Sequence, residues 1–264
     1  MTTIESETAP RGSSLYYSLL KAEEPARQTI IALQAYADEL RKISERFQEP
    51  SVAALKLSWW NDEIERLFNN EARHPITLML QPQLSRYALQ KAPFLALIEA
   101  SQLSLTTEAF ETQADLAVHY QHTGGIIEST KCQVILAGER IKEVEQFAHH
   151  IGICLESIRH IDQCAEFWNR QRIYLPITDI DSAEFDASKL PSLLKIQAEF
   201  ARDCYTEALA KLPPAYAKKL KPIRLYASLQ LLLLGAIERD GFRVLEHRMQ
   251  LSPIRKLWHS IWFS

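Results

Sequence analysis

The residues best able to do chemistry here are acids and guanidinium groups at helical spacing. Asp162 and Glu166 stand four apart in a helical stretch, so both carboxylates share one face, a natural metal ledge. The competing reading is a rim pair whose charges meet Arg159 and Arg170 along the helix. Lys42, Arg170 and Arg172 would hold an anion if they converged, because guanidinium forks match phosphate oxygens; otherwise Arg172 serves in a structural ion pair. Gly124 and Gly125 follow Tyr120 and Thr123 inside a helical stretch, where a glycine pair permits a break or the close approach of a ligand or a second helix. The histidines His119, His122, His149, His150 and His160 are not spaced with cysteines or carboxylates as a zinc set. No P-loop, Gly-x-Gly-x-x-Gly or Gly-x-Ser-x-Gly motif occurs.

Helices must position these groups. Ile30, Leu33, Ala37, Leu40 and Ile43 are spaced as one face of a helix starting near Pro25. A second helix is expected over about 52–68, with Leu55, Trp59, Ile64 and Leu67 on its apolar face. Further helical stretches cover about 77–90, 94–103, 107–136 (interrupted at Gly124-Gly125), 141–163, 191–212 and 215–239. Asp240-Gly241 supplies a C-terminal stop, and the Asp-, Ser- and Pro-rich stretch 172–191 reads as non-helical. These features predict an all-α protein: residues 1–12 as a disordered lead-in, then one helical domain over 13–264.

Composition sets the bounds. In 264 residues, 47% are hydrophobic and only 7 are glycine, which suits a large helical core. A formal charge of −3 offers no field for nucleic acid, so no nucleic-acid partner is expected. Cys132, Cys154, Cys164 and Cys204 lie far apart, as reduced core thiols do. No apolar run reaches the ~20 residues of a bilayer span, and residues 1–11 resemble neither a secretory nor a transit leader. The expected location is cytoplasmic, with peripheral contact at the inner face of a membrane through the segment Ile254–Phe263. There Arg255, Lys256, Trp258, Trp262 and Phe263 suit an interface, or else the segment docks on the bundle with its Trp residues buried.

An ordered set of local patterns carries a family resemblance. It comprises Ser13-Ser14-Leu15-Tyr16-Tyr17, Arg27, Ala32-Leu33-Gln34-Ala35-Tyr36, Lys56-Leu57-Ser58-Trp59-Trp60 and Arg73-His74-Pro75. Far downstream follow Arg172-Ile173-Tyr174-Leu175-Pro176, Gly241-Phe242-Arg243-Val244-Leu245, Arg248, Leu251-Ser252-Pro253 and Arg255-Lys256-Leu257-Trp258. From about residue 13 to 258 the chain resembles the squalene/phytoene synthase family. The resemblance implies an isoprenoid-synthase-type helical bundle around a central apolar cavity. It also implies head-to-head condensation of two prenyl diphosphates, with Mg²⁺ held by two acidic motifs on facing helices. A diphosphate leaving group needs its charge neutralised, which Mg²⁺ on carboxylates supplies.

This chain departs from that pattern. The family's first motif, Asp-Asp-x-x-Asp, falls on Arg41-Lys42-Ile43-Ser44-Glu45, where two cations would repel Mg²⁺. Asp38 and Glu39 lie three residues earlier and read as a solvated helix face. The second motif falls on Gln163 and Phe167 without gaps, or on Asp162 and Glu166 with one residue inserted. Ala32 to Leu40 resembles a branch of the family related to the mitochondrial assembly factor for respiratory complex I, which keeps the fold without the aspartates. The expectation is therefore a catalytically impaired protein that binds an isoprenoid or other lipid, or a protein partner in assembly of a respiratory complex, without a cofactor. The alternative is an active prenyltransferase using Mg²⁺ with Asp162, Glu166 and Glu45 as its acids. The resemblance puts Tyr16, Tyr36, Lys42, Tyr120, Arg172 and Tyr174 at the substrate. It also predicts a central pocket narrower than a two-substrate tunnel, with Leu233 in its wall and Lys42 and Arg172 at its mouth.

Overall fold

The computed structural model describes residues 3–46, 49–107, 109–170, 172, 174–176 and 187–263. The rest of the expected non-helical stretch 172–191 lies outside the described residues. The first half of the chain runs through α1 (Thr3–Thr8), α2 (Ser14–Leu19), α3 (Glu24–Arg46), α4 (Pro50–Phe68), α5 (Pro75–Leu80) and α6 (Lys91–Thr106). The second half holds α7 (Gln113–Tyr120), α8 (Ile126–Ile135), α9 (Lys142–Asp162), α10 (Cys164–Trp168), α11 (Leu190–Lys211), α12 (Pro214–Ala217), α13 (Lys221–Arg239) and α14 (Pro253–Trp262). No β-strand occurs among the described residues, and one isolated bridge joins Phe110 to Pro176.

Helix α9 is the hub, packing on α11, α8 and α13. Val144, Phe147, Ala148, Ile151, Cys154, Ile158 and Ile161 are buried along it, an apolar stripe of helical period. Helix α3 packs on α5, α6 and α8, burying the expected face Ile30, Leu33, Ala37, Leu40 and Ile43.

Helix α4 turns a different face inward than expected. Leu57, Trp60, Ile64 and Leu67 are buried, whereas Leu55 (72% exposed) and Trp59 (43%) face outward. Two apolar stripes overlap on this helix, and α6 packs against only one of them. Residues 3–12 also differ from the expected lead-in. They contain α1, with Ala9 buried and Glu5 bonded to Arg27 at 2.5 Å. The stretch 215–239 is two helices instead of one, because Pro222 sits in the first turn of α13 and cannot continue a preceding helix.

Between α7 and α8 the five residues Gln121–Gly125 form a π-helical turn. It packs on α9, where Gly124 meets Gly152. A Cβ on Gly152 would lie 2.3 Å from the carbonyl carbon of Gly124 and the nitrogen of Gly125. Of the open readings of the glycine pair, the structure selects backbone-to-backbone helix packing.

Candidate functional site

Helix α3 carries a polar stripe within its buried side: Gln34, Asp38, Arg41 and Glu45, spaced four, three and four. Helix α9 answers with Glu156 and Arg159, and α8 with Glu128 and Lys131. A polar cavity of about 310 Å³ lies between these helices, and Asp162, Arg248 and Lys256 also line it.

The side chains form one chain of hydrogen bonds. Arg159 makes a bidentate pair with Glu45 at 2.9 and 2.7 Å and donates through Nε to Glu156 at 2.9 Å. Glu156, 2% exposed, also accepts from Arg41, which donates to Asp38 at 3.0 Å. Gln34 donates to Asp38 at 2.8 Å and accepts from Lys131 at 2.5 Å, and Lys131 donates to Glu128 at 2.6 Å. Burial pushes the Glu156 carboxyl up, but Arg159 and Arg41 outweigh this and hold it at about 2. Burial lowers the Arg159 guanidinium, yet Glu156 and Glu45 raise it well above its ordinary value, so both members stay charged.

Mg²⁺ prefers oxygens that are free to ligate in near-octahedral array. Here Glu45, Glu156 and Asp38 each accept from an arginine. No group of three or more His, Cys, Asp or Glu side chains among the described residues could share a metal ion. The donor set does not fit magnesium as it stands.

The second acidic pair also has a partner, though not the one expected. Asp162 accepts from Arg248 at 3.1 and 2.7 Å, and Glu166 lies 3.9 Å from the same arginine. Arg159 and Arg170 point elsewhere: Arg170 donates to the Glu45 carbonyl at 2.5 Å, and Arg172 to the Ser44 carbonyl at 2.8 Å. Both guanidinium groups therefore neutralise the C-terminal end of α3, where unpaired carbonyls carry partial negative charge. Lys42 is exposed and pairs with Glu39 at 2.5 Å, so Lys42, Arg170 and Arg172 do not converge as an anion site. Asp38 is half-buried and faces the cavity instead of standing on a solvated face.

A pocket does open between α3, α8 and α9, the polar cavity above, though neither Lys42 nor Arg172 lines it. A separate apolar pocket against α9 is nearly closed by aromatic rings: Tyr120 stacks on His160 at 5.1 Å, and His160 on Tyr174 at 3.9 Å. The hollow left beside them is about 20 Å³, near the volume needed for one water. Of the residues expected at the substrate, Tyr120, Tyr174 and Arg172 border this hollow. Burial, reinforced by Arg159, keeps His160 neutral, well below its ordinary pKa. Tyr36 faces away, donating to the Phe94 carbonyl at 3.0 Å and packing on Trp60. Tyr16 sits edge-on to Tyr17 on α2.

Glu63 was not among the expected residues. Fully buried, it accepts from the Arg73 and His74 amides at 2.7 and 2.8 Å, from Arg66 at 2.8 Å, and from the Thr77 hydroxyl. It holds the Arg73-His74-Pro75 turn at the start of α5, which gives that local pattern a structural cause. Glu128, Lys131 and Glu156 were likewise not foreseen. The signal was the three- and four-residue spacing of polar groups inside otherwise apolar stretches.

The chain is an all-α helical bundle in which two polar helix faces meet across a cavity. The family model for squalene/phytoene synthase matches residues 8–255, and the chain belongs to that family. Among its relatives, the 15-cis-phytoene synthase of Synechococcus elongatus is 24% identical over 95% of this chain and 87% of its own length. The phytoene synthase of Mycobacterium tuberculosis is 20% identical over 96% of this chain and 86% of its own. The fold is shared with a dehydrosqualene synthase solved in complex with a ligand (TM-score 0.80, 15% identity, 98% of this chain and 93% of that one). It is shared also with the squalene synthase of Alicyclobacillus acidocaldarius (TM-score 0.73, 18% identity, 90% and 92% covered).

Proposed function

We propose that this member of the family works as a binding or assembly protein and does not condense prenyl diphosphates. The observation that carries the reading is Glu156 clamped between Arg41 and Arg159 across the α3–α9 cavity. Admitting Mg²⁺ there means breaking charge-assisted pairs in a shielded site, where each lost partner leaves an uncompensated charge. The aromatic stack of Tyr120, His160 and Tyr174 points the same way: the apolar hollow beside it, about 20 Å³, is too small for a prenyl chain, and the larger cavity of about 310 Å³ is lined by charged side chains. Lipid and protein contacts then fall to the outer surface, above all to α14, which lies at the periphery of a membrane in this reading. The resemblance of Ala32 to Leu40 to the assembly-factor branch supports a respiratory-complex protein as the class of protein partner. No helix of the described residues is long and apolar enough to cross a membrane.

The test is diphosphate release from farnesyl or geranylgeranyl diphosphate by the purified protein with Mg²⁺. No release above the protein-free rate is expected. Robust magnesium-dependent release overturns the reading and establishes the prenyltransferase, with Asp162, Glu166 and Glu45 as its first candidates for substitution.

A further inference from the structure

Helix α14 is amphipathic the wrong way round for a docked helix. Its polar side faces the protein: Lys256 donates to the Gly12 carbonyl at 3.1 Å, and His259 bonds Ser228 at 2.7 Å. Its apolar stripe faces out, with Ile254 (69% exposed), Leu257 (39%), Trp258 (60%), Ile261 (62%) and Trp262 (76%). Among the described residues, five of the thirteen large exposed apolar side chains thus lie on one ten-residue helix. Beside that stripe opens a groove of about 640 Å³ between α2, the start of α13 and α14. Leu20, Ala22, Ala26, Leu225, Leu257 and Ile261 give it apolar walls. This volume lies within the roughly 300–1,000 Å³ typical of ligand pockets.

The rim decides the occupant. Lys21, Lys218, Lys219 and Lys221 border the groove against one acid, Glu23. None of Lys21, Lys218, Lys219 or Lys221 has a carboxylate partner among the described residues. Apolar walls under uncompensated cations suit an amphiphile with an apolar tail and a negative head. Tryptophans beside lysines belong to the bilayer interface, where the rings sit at headgroup level. A second copy docked through this face would set the lysine cluster near its own image, since a two-fold interface presents the same patch twice.

We propose that the α2–α13–α14 groove is a binding site for one acyl or prenyl chain of an anionic membrane lipid. Its head group is held by Lys218, Lys219 and Lys21, and α14 lies in the interface beside it. This rests on the peripheral-membrane reading above and is separable from it. The experiment measures binding of monomeric oleoyl lysophosphatidate to the full chain by titration calorimetry, alongside flotation with phosphatidylglycerol-containing vesicles. Saturable one-to-one binding is expected. Ala22→Trp and Ser260→Trp, which fill the groove, should each weaken it at least about ten-fold. Lys218→Gln with Lys219→Gln should weaken it by roughly 25-fold, at about five-fold per cation near anionic head groups. Unchanged melting of the variants shows that the fold is intact. Vesicle binding without monomer binding, or monomer binding untouched by both tryptophans, overturns the groove and leaves the peripheral contact standing. Binding to neither overturns both. Concentration-dependent dimers that Trp258→Glu with Trp262→Glu dissociates would assign the face to a second copy and overturn the proposal.

Discussion

Removing the Glu156 carboxylate should cost more than any surface change, because two largely shielded arginines depend on it. In Glu156→Ala, Arg41 keeps Asp38 and Arg159 keeps Glu45, but the charge between the two guanidinium groups is gone. Breaking a buried pair by removing one partner costs about 3–5 kcal/mol. Unfolding entropy of about 2.1 cal/mol/K per residue gives roughly 0.55 kcal/mol/K for this chain, so the melting temperature should fall by about 5–9 °C. The assay is thermal unfolding by circular dichroism at neutral pH, with Glu156→Gln as the isosteric control that loses only the charge. The double variant Arg41→Met with Glu156→Leu removes both partners and should recover most of the loss, because no shielded charge is left alone: Arg159 keeps Glu45, and half-exposed Asp38 keeps Gln34. A Glu156→Ala protein melting within about 1 °C of the parent would refute the reasoning, since a pair worth so little is not desolvated.

Stability should also fall in two stages on acidification. His119 is held at about 4, mainly by burial, and His160 well below its ordinary value, so the unfolded chain takes up these protons first. Their contribution is fully present above 6.5 and drains away as the pH falls from there toward 4. Glu156 and Glu63, both held at about 2, contribute fully above 4.5 and lose that contribution between 4.5 and 2. Urea midpoints measured across this range should drop gently and then steeply; a flat profile from 6.5 to 4 would mean that the histidines are not buried neutral. Gly152→Ala should destabilise by about 3 kcal/mol or more, because the new Cβ meets the backbone of Gly124 and Gly125, which no rotamer change relieves. An unaltered denaturation midpoint would mean that α9 and the π turn stand further apart than the structure has them.

The sequence by itself determined the helices, since their apolar period is local: the buried faces of α3 and α9 follow directly from residue spacing. It also determined that cations stand at Arg41 and Lys42, and with them the doubt about magnesium. It could not orient α4, whose two apolar stripes differ only in which one a neighbour covers. Nor could it assign partners to ions. Asp162 goes to Arg248, 86 positions away, and Arg41 to Glu156, 115 away, as well as to Asp38, while nearer partners were equally plausible on paper. Those choices belong to the tertiary structure, because charge pairs are made by whichever side chains packing brings within hydrogen-bond reach. The same holds for the core and the surface: tertiary packing brings Tyr120, His160 and Tyr174 into one stack. Only the docking of α14 by its polar side turns its tryptophans outward.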